Sequence, residues 1–138
     1  MPRFVILRHE TPPGYPRPTH FDLMLEWGEM LRTWACQAMP TSGATLFADE
    51  LAAHRREYLD YEGEVSAGRG SVTRAAAGEF DLLENTPDLV RVRLHSPQLR
   101  GTLRLAPAEA DSARWTVFLD SGAGILERDA GTLDSPGQ

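Results

Sequence analysis

The stretch His20 to Trp27, His-Phe-Asp-Leu-Met-Leu-Glu-Trp, alternates without a break. On a strand, Phe21, Leu23, Leu25 and Trp27 face one way, and His20, Asp22, Met24 and Glu26 face the other. The first face is plainly apolar and suits a core. The second sets an imidazole and a carboxylate two residues apart, close enough to share an ion. A strand of this kind can pack a core with one side and hold a metal with the other.

The neighbouring segments extend the β pattern. Arg3 to His9 is short and β-rich and reads as a first strand. Residues 10–19 hold four prolines and a glycine, which makes a loop. Gly28-Glu29 is a tight turn, and Met30 to Cys36 a return strand, so residues 20–36 form a candidate hairpin. Phe47 to Tyr58 reads as a helix, with Phe47, Leu51, His54 and Tyr58 at near-helical spacing and Asp49 and Glu50 in its first turn. After a Gly-containing loop to Gly70 come short β-like runs at Ser71–Arg74, Glu79–Glu84, Leu89–His95, Leu99–Ala106 and Arg114–Leu119. The expected fold is mainly β: a small closed or strongly curved barrel of about seven to eight strands with one or two flanking helices. Residues 1–119 make up that domain. Residues 120–138, rich in Gly, Ser and Asp with little periodicity, form an expected weakly structured C-terminal tail.

Length and charge narrow the function. A chain of 138 residues, 41% hydrophobic and 25% charged, suits one globular domain. No window approaches the ~20 apolar residues of a membrane span, and the N-terminus lacks the regions of a signal peptide. The expected compartment is the cytoplasm. The single cysteine, Cys36, cannot form an internal disulfide and lies in an apolar run, as a small core residue would. The net charge of −6 excludes a broad electrostatic footprint on nucleic acid but not local contact with one phosphate or strand end. All 14 basic side chains are arginines, which offer a bidentate fork to phosphate.

The histidines carry the chemistry. His9 ends the first strand, and His20 and Asp22 begin the next on one face. If those strands are neighbours, two imidazoles and one carboxylate converge. That donor set, with positions left for water, suits Mn, Fe or Zn. His54 and Tyr58, at i and i+4 of the expected helix, share a face. They are either an aromatic packed on the core beside a half-buried histidine, or a phosphate-binding and general-acid pair aimed at a metal-bound substrate.

Four segments in order carry a family resemblance: Arg-Phe-Val-Ile-Leu-Arg-His at 3–9, His-Phe-Asp-Leu-Met-Leu-Glu at 20–26, Leu-Arg-Thr-Trp-Ala at 31–35 and His-Arg-Arg-Glu-Tyr-Leu-Asp-Tyr-Glu-Gly at 54–63. The chain resembles the 3′-phosphoesterase domain of bacterial ligase D, from non-homologous end joining, over roughly residues 3 to 119. The resemblance implies a small β-barrel with flanking helices. It also implies manganese-dependent removal of a 3′-phosphate or 3′-ribonucleotide from a DNA strand in repair, leaving a 3′-OH. Carried over by position, His9, His20 and Asp22 match the metal ligands, and His54 and Tyr58 match the residues that act at the scissile phosphate. The expected cofactor is a divalent metal, Mn²⁺. The expected partners are nucleic-acid 3′ ends and a separate ligase or polymerase, with no membrane involved.

Two positions depart from the family pattern. Met24 stands where the family has an arginine, and Ala38 where it has a lysine. Cationic donors stabilise the charge that grows on a reacting phosphoester, so Arg8, Arg17, Arg55 or Arg69 would have to supply it from another element. The leading expectation is a stand-alone metal-dependent phosphoesterase. The alternative is a non-catalytic metal-binding module for a DNA end or a repair protein, with a degenerate phosphate site. A third reading gives the metal site a different small phosphorylated substrate.

Overall fold

A computed structural model describes residues 1–110 and 112–122. The backbone forms nine antiparallel strands: β1 (Arg3–Glu10), β2 (His20–Trp27), β3 (Met30–Cys36), β4 (Thr45–Arg55), β5 (Gly63–Glu64), β6 (Ser71–Thr86), β7 (Leu89–His95), β8 (Gly101–Pro107) and β9 (Arg114–Asp120). They hydrogen-bond in the order β1-β2-β3-β4-β9-β8-β7-β6-β5, and a further β1–β6 pairing bends the sheet into a ring. Short β5 lies outside that ring, on the edge of β6. The expected mainly β, strongly curved architecture is what the chain adopts. Most of the expected tail, from residue 123 onward, lies outside the described residues.

The β2–β3 hairpin forms as its sequence indicates, with Trp27 opposite Met30 and Gly28 in the left-handed region at φ +65°. The runs expected at Ser71–Arg74 and Glu79–Glu84 are halves of one long strand, β6. Gly78 does not break it. At this point β6 passes from β1 to β7, with Phe4 opposite Gly78 and His95 opposite Glu79. A side chain on Gly78 would strike the His95 carbonyl, so the glycine permits a close backbone crossing.

The expected helix at Phe47–Tyr58 does not form. Thr45–Arg55 is strand β4, and only Arg56–Leu59 turns, as one 3₁₀ turn. No flanking α-helix occurs among the described residues. The physical reason is partnership on both edges. β4 pairs with β3 on one side and β9 on the other, and this pairing outweighs the local helix preference of Ala, Glu and Leu. A register shift between Leu31 and Thr33 places one extra residue in β4, since their partners are His54 and Leu51. Such a bulge turns Leu51 and His54, three apart, to the same face. The apparent helical spacing is thus a strand with one residue inserted.

Two apolar clusters flank the wall formed by β1, β2 and β3. The larger fills the ring and includes Phe4, Ile6, Leu23, Leu25, Trp34 and Phe80. The smaller lies on the outside and joins Val5, Leu7, Met24 and Leu31 to Leu59, Val65 and Val72. The alternation of β1 and β2 therefore serves two cores: the segment 56–72 folds back over the outer face and buries it. The candidate site sits where this second cluster opens to solvent.

Candidate metal centre

Strands β1 and β2 are paired so that His9 lies directly opposite His20 and Leu7 opposite Asp22. The three donor side chains therefore meet on the outer face of the wall, with ligating atoms all within 4.8 Å of one another. His20 and Asp22 are buried, at 5% and 3% exposure. The imidazole rings of His9 and His20 are 4.8 Å apart at their centroids.

The proton positions follow from the outer partners. His20 Nδ1 lies 2.8 Å from the Pro18 carbonyl and His9 Nε2 lies 2.7 Å from the Arg69 carbonyl. A carbonyl only accepts, so each of these nitrogens carries its hydrogen and donates. In a neutral imidazole the other nitrogen then bears a lone pair. Those lone pairs face one carboxylate: His20 Nε2 is 3.0 Å from Asp22 Oδ1, and His9 Nδ1 is 3.2 Å from Asp22 Oδ2. Asp22 Oδ1 is buried and makes no hydrogen bond. Acceptors crowded this way require a cation or a proton among them. Carbonyls that fix a histidine's distal nitrogen are the usual outer shell of a metal-bound imidazole. The donor set fits a divalent metal.

The charges are shifted accordingly. Burial pushes the Asp22 carboxyl up, but the adjoining imidazoles of His20 and His9 outweigh it and bring it down to about 2. Asp22 raises His9 above the ordinary imidazole value, against the opposing effect of burial. Cys36 is buried in the ring core, and burial, with Asp22 adding, pushes its thiol up to about 12. It is a core residue, as its apolar setting suggested.

The remaining residues are arranged around a pocket of about 270 Å³ that opens over the three donors. His54 arrives from the end of β4 and Tyr58 from the 3₁₀ turn, so they share the pocket rather than a helix face. Their rings meet edge to face with centroids 5.7 Å apart. His54 Nδ1 donates to the Ala52 carbonyl at 2.9 Å, which leaves Nε2 available. Met24 lines the pocket floor and belongs to the outer apolar cluster at 1% exposure.

Of the four arginines that sequence offered as replacement cations, Arg17 and Arg69 line this pocket. Arg8 is paired with Glu10, and Arg55 lies 3.7 Å from Glu57, both outside it. Tyr15 also lines the pocket, its ring 6.3 Å from that of His9. Sequence reasoning passed over Tyr15, and its only signal was an aromatic set between prolines. The Arg69 carbonyl was invisible as well, because every residue carries one. Its trace is the glycine that follows: Gly70 has φ +97°, and a Cβ there would collide with the Glu10 carbonyl.

No curated protein matches the chain. A family model described as the DNA Ligase D 3′-phosphoesterase domain matches residues 9–106. The matched span begins at His9 and includes His20, Asp22, His54 and Tyr58, so it takes in every residue that faces the pocket from β1, β2, β4 and the 3₁₀ turn. By that match, over more than two thirds of its length, the chain belongs to the DNA ligase D 3′-phosphoesterase domain family.

Proposed function

We propose that this protein is a metal-dependent phosphoesterase that acts on 3′-phosphate or 3′-ribonucleotide ends of DNA in repair. One observation carries the metal half: both histidines give their distal hydrogens to carbonyls and turn lone pairs onto the buried Asp22 carboxylate. His9, His20 and Asp22 would hold the ion, with Mn²⁺ the expected species. A bound divalent cation supplies Lewis-acid polarisation of the phosphoester at that point.

The chain's own residues do the rest. Arg17, paired with Asp49, and Arg69, whose guanidinium bonds Ser66, are the arginines that line the pocket, and their guanidiniums would turn to the non-bridging phosphate oxygens in place of the missing charge at Met24 and Ala38. His54 Nε2 is the atom to steady the developing charge or to protonate the leaving oxygen. The Tyr58 hydroxyl donates to the phosphate. Val65, Leu51 and Val72 line the same pocket and limit water around the reacting group.

A test is to incubate the purified, folded protein with Mn²⁺ and primer-templates ending in a 3′-phosphate or one ribonucleotide. The expected product is a 3′-OH end. Its absence at high enzyme concentration overturns the enzymatic reading.

A second reading has Met24 behind it. This side chain is packed away among Val5, Leu7 and Leu31 where a phosphate-binding cation would be useful. On that reading the protein binds a DNA end or a repair protein through its metal site and turns nothing over. Metal binding without product separates the two.

A further inference from the structure

A second cleft of about 290 Å³ adjoins the metal pocket and shares Arg17 and His20 with it. The two are successive stations along one strand. Phe47, Asp49 and Leu51 alternate on the outer face of β4, and the bulge returns His54 to that face. Phe47 and Asp49 line the second cleft, and Leu51 and His54 line the first. A chain-like ligand with its end at His9, His20 and Asp22 would therefore run along β4 into the second cleft.

The second cleft sets an aromatic ring beside two guanidiniums. Ala35 lines it from the outer face of β3, and Cys36 and Ala48, whose side chains belong to the core inside the ring, border it as well. Phe47 stands at its wall, 43% exposed, with the Arg114 guanidinium 5.0 Å from the ring centroid. The ring face beside that guanidinium is open for stacking. The charge is also unbalanced in an anion's favour. Arg17 and Arg114 both turn to Asp49, at 2.8 and 3.9 Å, so one carboxylate serves two guanidiniums. This local surplus of positive charge sits on a chain whose net charge is −6.

We propose that this cleft is a nucleoside subsite. The base next to the reacting phosphate, on the strand that is kept, stacks on Phe47 beside Arg114, while Arg17, shared by the two pockets, stays with the reacting phosphate. The proposal rests on the phosphoesterase reading and extends it to recognition of the last nucleoside of the strand that carries the reacting 3′ end. Stacking is indifferent to base identity, because every base has a π-face. The subsite therefore selects for the presence of a base, not for sequence.

The test uses 5′-fluorescein single strands that carry a 3′-phosphate and end in either an ordinary or an abasic last nucleotide. Affinity is read by anisotropy with the metal chelated, so that no turnover occurs. Product formation is read separately with Mn²⁺. The wild-type protein is expected to bind the ordinary end about tenfold more tightly than the abasic end. Phe47→Ala is expected to lose that preference and Phe47→Trp to keep it, with Mn²⁺ binding unchanged in both. Because Phe47 is half exposed, both variants should fold. Equal affinity of the wild-type protein and Phe47→Ala for the ordinary end, with 3′-OH still produced, overturns the subsite alone. A wild-type protein that binds neither strand and yields no 3′-OH overturns the phosphoesterase reading and the subsite with it.

Discussion

His20 Nε2 lies 3.0 Å from Asp22 Oδ1, and in the neutral ring both atoms are acceptors. The arrangement is held from behind, since the Pro18 carbonyl takes the only ring hydrogen of His20. His9 repeats the pattern, with the Arg69 carbonyl behind it and Asp22 in front. With both rings neutral, these acceptors take a cation or a proton between them.

The first prediction concerns pH. His9 is raised in the folded protein, so its contribution to stability is present below the ordinary imidazole value and is lost as pH rises through the raised one. Asp22 is lowered to about 2, so its contribution is present above the ordinary carboxylate range and is lost as pH falls towards 2. The metal-free protein is expected to lose stability as pH climbs above the ordinary imidazole value. A divalent ion replaces the proton there. Thermal unfolding at pH 5.5 and pH 8 should show the Mn²⁺-induced rise in Tm growing with pH.

Gly70 is expected to govern metal affinity from a distance. Its φ of +97° and the nearby Glu10 carbonyl leave no room for a side chain. Gly70→Ala should push back the loop that delivers the Arg69 carbonyl to His9. Loss of such an outer partner typically costs ~10–100-fold in metal affinity. Mn²⁺ titration, with circular dichroism to confirm the fold, checks this.

Arg17 and Arg69 should matter for turnover and not for metal binding. Removing either guanidinium by Arg17→Ala or Arg69→Ala is expected to lower kcat by ~10²–10³, the usual cost of one preorganised charge donor. The Arg69 carbonyl survives that change, so Mn²⁺ affinity should hold. Steady-state release of 3′-OH product and a Mn²⁺ titration together report both quantities.

Arg32 is expected to be structural. Its guanidinium lies 5.2, 4.9 and 5.3 Å from the ring centroids of Trp27, Trp34 and Trp115 and bonds Glu50 at 2.7 Å. Arg32→Ala removes these contacts together. It should cost about 2–3 kcal/mol, read by chemical denaturation, with Mn²⁺ affinity unchanged.

The strand His20–Trp27 was legible because a period of two has one simple realisation, and its paired polar residues declared the site as well as the fold. Its polar face proved less open than alternation alone implies, since Met24 is sealed by Leu59 and Val65 from a later segment. β4 was not legible. Its Ala, Glu and Leu favour a helix locally, and the bulge before His54 imitates helical spacing. Only β3 and β9, neither of which announces its partner in sequence, decide the matter. His54 and Tyr58 nevertheless reach one pocket by a different route. Arg17 and Arg69 could be named as candidates but not chosen between, because the choice depends on where two loops come to rest.

The most direct measurement is Mn²⁺ binding by calorimetry, with the wild-type protein and Asp22→Asn compared at pH 7.5. The wild-type chain should bind one ion. Asp22→Asn, which keeps the shape of the side chain and removes its charge, should bind none at the same concentrations. Equal binding by the two proteins, or none by the folded wild-type chain, would contradict a metal centre on His9, His20 and Asp22.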